Sequence, residues 1–68
     1  MARFEQFEIW EFNQGRWEFT ASFKDFDVAH VMASKRRYRV RLVHVVYENG
    51  KAVDQEVLTE IGATREEP

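Results

Sequence analysis

Sixty-eight residues with a net charge of −2, 44% hydrophobic and 15% aromatic content and no cysteine describe one small folded domain, and exclude both a disordered chain and a disulfide scaffold. A domain of this size buries only about 60% of the surface of its unfolded chain, so one core supplies ~3–5 kcal/mol and proteins this small commonly add a partner. No apolar run approaches the roughly 20 residues of a membrane span, and "MARFEQFEIW" carries Arg3, Glu5 and Glu8 where a secretory signal would be apolar; a cytoplasmic location without membrane contact is the expectation.

In chain order, residues 3–12 read as a strand, although Glu5, Glu8 and Glu11 recur every three residues and leave a helical alternative open. A hairpin follows at "NQG" (Asn13 to Gly15). Glutamine is a poor choice for positive φ, which favours a three-residue loop ending in a Gly15 bulge, with Ile9 opposite Phe19 and Phe7 opposite Ala21. A two-residue Gln14-Gly15 turn is the alternative; it sets Trp10 opposite Phe19 and exchanges the faces of the first strand.

The next segment is "FKDFDVAHVMASKRR". Asp25 can cap a helix of roughly 11 residues, ~16 Å at 1.5 Å per residue, with Val28, Val31 and Met32 at helical spacing and Lys35, Arg36 and Arg37 at its end. Acids at the start and cations at the finish suit the helix dipole. The second hairpin is marked by "ENGK" (Glu48 to Lys51), since Asn and Gly tolerate the positive φ of a two-residue turn. Counting outward sets Val46 opposite Val53, His44 opposite Gln55, Leu42 opposite Val57, Val40 opposite Thr59 and Tyr38 opposite Ile61. Gly62 closes the last strand, and residues 63–68 form a flexible tail.

The expected fold is α+β: a β-β-α-β-β order over residues 1–62, with a four-stranded, largely antiparallel sheet and one helix packed on one face. The order, with "GRWEF" after the first turn and "YRVRLVHVVYENGK" in the second hairpin, resembles that of small bacterial proteins, a likeness that transfers no site residue.

Alternation along the strands assigns Phe7, Ile9, Trp17, Phe19, Ala21, Phe23, Val40, Leu42, Val46, Val53, Val57 and Ile61 to the helix side, closed by Val28, Val31 and Met32. The far side receives Arg16, Glu18, Thr20 and Ser22 from the second strand, and also Trp10, Phe12, Val43, Val45, Tyr47 and Leu58. Those six apolar side chains come from three strands, and large exposed apolar patches mark contact surfaces. They are the candidate partner interface. A second copy of the chain, in a homodimer, is the simplest occupant, and a larger protein partner is the other.

Five cations in seven positions, Lys35, Arg36, Arg37, Arg39 and Arg41, stand in a region without acids (residues 28–47). Lys35 to Arg37 suit a helix C-terminus. Arg39 falls opposite Glu60, and Arg41 opposite Leu58 with Glu56 and Glu60 diagonal, so pairing accounts for both. The alternative is a single-stranded nucleic-acid-binding module, with these five cations as contacts and Trp10, Phe12 and Tyr47 as stacking rings. The acids Glu8, Glu18, Asp54, Glu56 and Glu60 on that face argue against it.

No catalytic constellation is visible: the hydroxyls lack a nucleophile setting, His30 and His44 lack metal-site spacing, and the three glycines are isolated. His44 becomes a mild pH sensor if it is buried. Glu5, Glu8 and Glu11 read as solvated edge charges. The expectation is therefore a non-catalytic interaction domain with no cofactor and no metal.

Overall fold

A computed structural model describes residues 2–62; the 63–68 tail lies outside them. The elements are β1 (Arg3–Asn13), β2 (Arg16–Phe23), α1 (Phe26–Ser34), β3 (Val40–Glu48) and β4 (Lys51–Ile61). They make one four-stranded antiparallel sheet of order β2-β1-β3-β4. The chain thus crosses from the β2 edge, over β1, to the interior strand β3, and α1 lies in that crossover.

Both turns are two-residue turns with left-handed backbone. Asn49 (φ 51) and Gly50 (φ 81) form the second, as "ENGK" predicts. The first is the alternative turn, not the favoured loop: Gln14 (φ 51) and Gly15 (φ 85) are both left-handed, and Asn13 faces Arg16. Gln14 occupies a region that costs a side chain roughly 1–2 kcal/mol, offset by closing β1 on β2 in a twist that matches the strands.

The bulge expected at Gly15 lies instead at Thr20. Up to there Phe12 faces Trp17 and Trp10 faces Phe19; beyond it Ile9 faces Ala21 and Phe7 faces Phe23. The Thr20 hydroxyl donates to the Ile9 carbonyl, 3.0 Å away, holding the irregularity in place. Its consequence is a change of face along β2. Ala21 and Phe23 share a face with Ile9 and Phe7, whereas Trp17 and Phe19, assigned to that side from the sequence, lie on the other with Trp10 and Phe12.

Two further bulges interrupt β4. The pairing predicted from the turn holds only for Glu48 with Lys51 and Tyr47 with Ala52; Val53 and then Leu58 are extra residues, so that Val43 faces Val57, Leu42 faces Thr59 and Val40 faces Ile61. Such irregularities on an edge strand hinder pairing with a foreign strand.

The core cluster joins Ile9, Val40 and Leu42 to Ala29 and Ala33 of α1, all fully buried, with Phe7, Phe23 and Ile61 against it. Helix residues reach the core through two alanines four apart, not through Val28, Val31 and Met32, all three of which are exposed. The reason is length: a methyl side chain lets a helix backbone come close to a sheet whose own residues already fill the space. Asp25 caps α1, accepting from the Asp27 and Val28 amides at 2.8 and 3.2 Å. The helix is nine residues and Lys35 is its C-cap, so Arg36 and Arg37 follow it instead of forming its last turn.

Candidate interaction surface

Cross-strand partners share a face, so the sheet face away from the core cluster can be read from the pairing. Trp10 pairs with Phe19 and Arg41, Glu8 with Ser22 and Val43, Gln6 with Val45, Phe4 with Tyr47; Val43 pairs onward with Val57, Val45 with Gln55 and Arg41 with Glu60. This face has two unlike ends.

At one end, rings and guanidinium groups interleave. Arg41 lies 4.1 Å from the centroid of Trp17, and Arg39 lies 5.4 Å from Trp17 and 5.1 Å from Phe12. Phe12 and Trp17 are in tilted contact at 5.0 Å, and Trp10 meets Phe19 edge-on at 5.8 Å. Glu60 orients both cations: its carboxylate accepts from Arg39 Nε at 3.1 Å, Arg39 NH2 at 3.4 Å and Arg41 Nε at 3.2 Å. The hydrogen bond from Arg39 is the leading cause of a Glu60 pKa below the usual carboxylate value, helped by Arg41 and by both positive charges, with burial acting in the opposite sense. Beside this cluster is an open hollow lined by Trp10, Trp17, Arg41, Val43, Gln55 and Val57.

At the other end, Glu8 is 4% exposed and held by neutral donors alone. Its carboxylate accepts from Gln6 Nε2 (2.7 Å), Trp10 Nε1 (3.0 Å) and Tyr47 Oη (2.5 Å). Three donors satisfy a charge that burial would otherwise make costly. The hydrogen bond to Glu8 raises the Tyr47 pKa, burial and the Glu8 charge add to the rise, and Gln6 opposes it. Phe4 stacks on Tyr47 at 5.0 Å.

The six residues proposed from the sequence as a partner interface are therefore not equivalent. Val43 and Val45 are buried, Val45 to 1% exposure, because an interior-strand valine is flanked on both sides and is shorter than its neighbours Glu8, Gln6 and Gln55. Trp10, Phe12 and Tyr47 are half-buried, and Leu58 is exposed at a bulge. Trp17, Phe19, Gln55 and Val57 join this surface although the sequence reading placed all but Gln55 toward the helix. The Gln14-Gly15 turn was the signal for Trp17 and Phe19; nothing local announces the β4 bulges that bring Val57 across.

Of the five cations, Arg39 and Arg41 are on this face and engage Glu60, as expected, with Arg41 directly opposite it instead of opposite Leu58. Lys35 and Arg37 are exposed beyond α1, Arg37 lying 5.7 Å from the Tyr38 ring. Tyr47 is at the far end from the arginines. Glu18, Asp54 and Glu56 pair with Glu11, Val46 and His44 and so belong to the opposite face, correcting the acidity attributed to this one. His44 is half-buried, 5.1 Å from Phe7 and 3.5 Å from Glu5. Glu8 is a satisfied interior carboxylate, not a solvated edge charge. Among the described residues no three His, Cys, Asp or Glu side chains are grouped to hold a metal, and no helix is long and apolar enough to cross a membrane.

Comparison with models of protein families, with curated proteins and with solved structures returns no match.

Proposed function

We propose that the protein is a small non-catalytic interaction domain in which α1 shields the Ile9/Leu42 face of the sheet and the opposite face meets a protein partner, either a second copy or a larger protein. The contact centres on the Trp10, Trp17 and Arg41 end. The observation that carries this reading is the hollow there, with the Trp10 and Trp17 rings and the Arg41 guanidinium on one side and Val57, 52% exposed, on the other. Tryptophan and arginine are the residue types that dominate binding energy at interface centres. Glu60 holds the two arginines in place before any partner arrives, which lowers the ordering cost of association.

Both tryptophans of the chain line this hollow, so intrinsic fluorescence reports its coverage. On association through this face, acrylamide quenching falls as the mass measured by light scattering rises, and Val57→Asp abolishes both changes. Association that Val57→Asp abolishes but that leaves tryptophan quenching unaltered contradicts the proposal.

The nucleic-acid alternative draws on the same rings and on Arg39 and Arg41. Against it, the guanidinium groups lie over the rings that bases would need, and Glu60 offsets one of their two charges. It predicts affinity for mixed single-stranded oligonucleotides that falls steeply with salt and is lost in Arg39→Glu/Arg41→Glu.

A further inference from the structure

The side of α1 away from Ala29 and Ala33 is apolar where it should be polar. Val28, Val31 and Met32 are 49%, 51% and 38% exposed and, with Asp27, border a shallow hollow. An exposed helix of a small domain ordinarily turns charged residues outward; here the charges sit only at the two ends of the stripe. Asp27, Val31 and Lys35 follow one another at four-residue spacing, which places them in a row on the helix surface. Asp27 and Lys35 are about 12 Å apart along the axis at 1.5 Å per residue, too far to pair with each other. Among the described residues neither has an ion pair within the chain.

We infer that this stripe is a self-association surface, on which α1 of a second copy lies antiparallel about a twofold axis through Val31. That symmetry sets Asp27 of each copy opposite Lys35 of the other, because both stand four residues from Val31. One contact therefore satisfies two acids and two bases, and covers Val28, Val31 and Met32 of both copies. Antiparallel helices also bring the positive end of each dipole beside the negative end of the other. A parallel arrangement would oppose Asp27 to Asp27 and Lys35 to Lys35. The stripe is small beside the ~1,200 Å² at the lower limit of stable interfaces, so the dimer is weak and forms in the upper micromolar range. It is independent of the sheet-face contact and, with α1 between the sheets, leaves both open faces free for partners.

The test is charge reversal. Asp27→Lys and Lys35→Asp, each alone, raise the self-dissociation constant measured by sedimentation equilibrium about tenfold, since each replaces two attractions with two repulsions. An equimolar mixture of the two variants regains association as a heterodimer, because one variant then carries a base at both ends of its stripe and the other an acid at both ends. Val31→Glu, at an exposed position that leaves the core untouched, abolishes this dimer, whereas Val57→Asp, which removes any contact through the sheet face, leaves it intact. The inference is overturned by a wild-type chain that stays monomeric at millimolar concentration, by a folded mixture of the reversed variants that does not associate, or by a dimer of the Val57→Asp chain that is indifferent to Val31→Glu.

Discussion

Glu8 shows how a strand can bury a carboxylate without a cation. Alternation puts Gln6 and Trp10 on the same side of β1 as Glu8, two residues away in each direction, and their N–H groups converge on its two oxygens. Tyr47 completes the set from β3. Glu8→Ala strands three donors on a half-buried surface, with an expected cost of about 1–3 kcal/mol, read from urea unfolding; Glu8→Gln keeps an acceptor and loses less. The two shifted groups act at opposite ends of the pH scale. The folded-state Glu60 pKa lies below its ordinary 4.5, so its pairing stabilises the fold above that value and the contribution is lost as pH falls through the folded pKa. Acid unfolding of Glu60→Gln is correspondingly less steep below pH 4.5. For Tyr47 the folded pKa is above 10.0; its contribution is complete below that ordinary value and lost as pH rises through the folded one, and Tyr47→Phe removes that alkaline limb from a stability profile.

At the scale of elements, the first turn is the weak point. Gln14 holds φ 51 beside Gly15, a position where Asn or Gly is more comfortable. Gln14→Asn is expected to stabilise the chain by at least about 0.5 kcal/mol without altering the sheet, as thermal melts and unchanged near-ultraviolet dichroism would show. Helix placement is governed by Ala29, fully buried against the sheet; Ala29→Leu overpacks that contact at a cost of about 1–3 kcal/mol. Element type and order were legible, because Asn49-Gly50, the Asp25 cap and period-two alternation are local chemistry. Bulges were not. At Thr20, Val53 and Leu58 an extra residue is chosen by the fit between two strands far apart in sequence, and each one exchanges faces for everything beyond it. This is why Arg39 and Arg41 could be matched to Glu60 while Trp17, Phe19 and Val57 were assigned to the wrong side. It is also why outward-facing Val28, Val31 and Met32 passed for core: helical spacing identifies an apolar stripe but not what covers it.

The molecule as a whole is a thin sheet in which five fully buried side chains form the central cluster. Ile9→Ala removes a branched aliphatic side chain from that cluster at about 2–5 kcal/mol, comparable with the ~3–5 kcal/mol a core of this size supplies, and the variant is expected to be unfolded at room temperature by circular dichroism. So small a reserve gives association a thermodynamic role, since a partner that binds only the folded chain stabilises it. The face opposite α1 is the one proposed for such a partner, with fixed cations, half-buried rings and exposed Val57 at one end and a satisfied carboxylate at the other. Photo-crosslinking tests it most directly, with a crosslinking side chain placed at Val57, on the hollow, or at Asp54, on the opposite face of the same strand. Protein adducts from position 57 and none from position 54 are the predicted result; adducts from 54 alone, or equal yields from both, would contradict the assignment of this face.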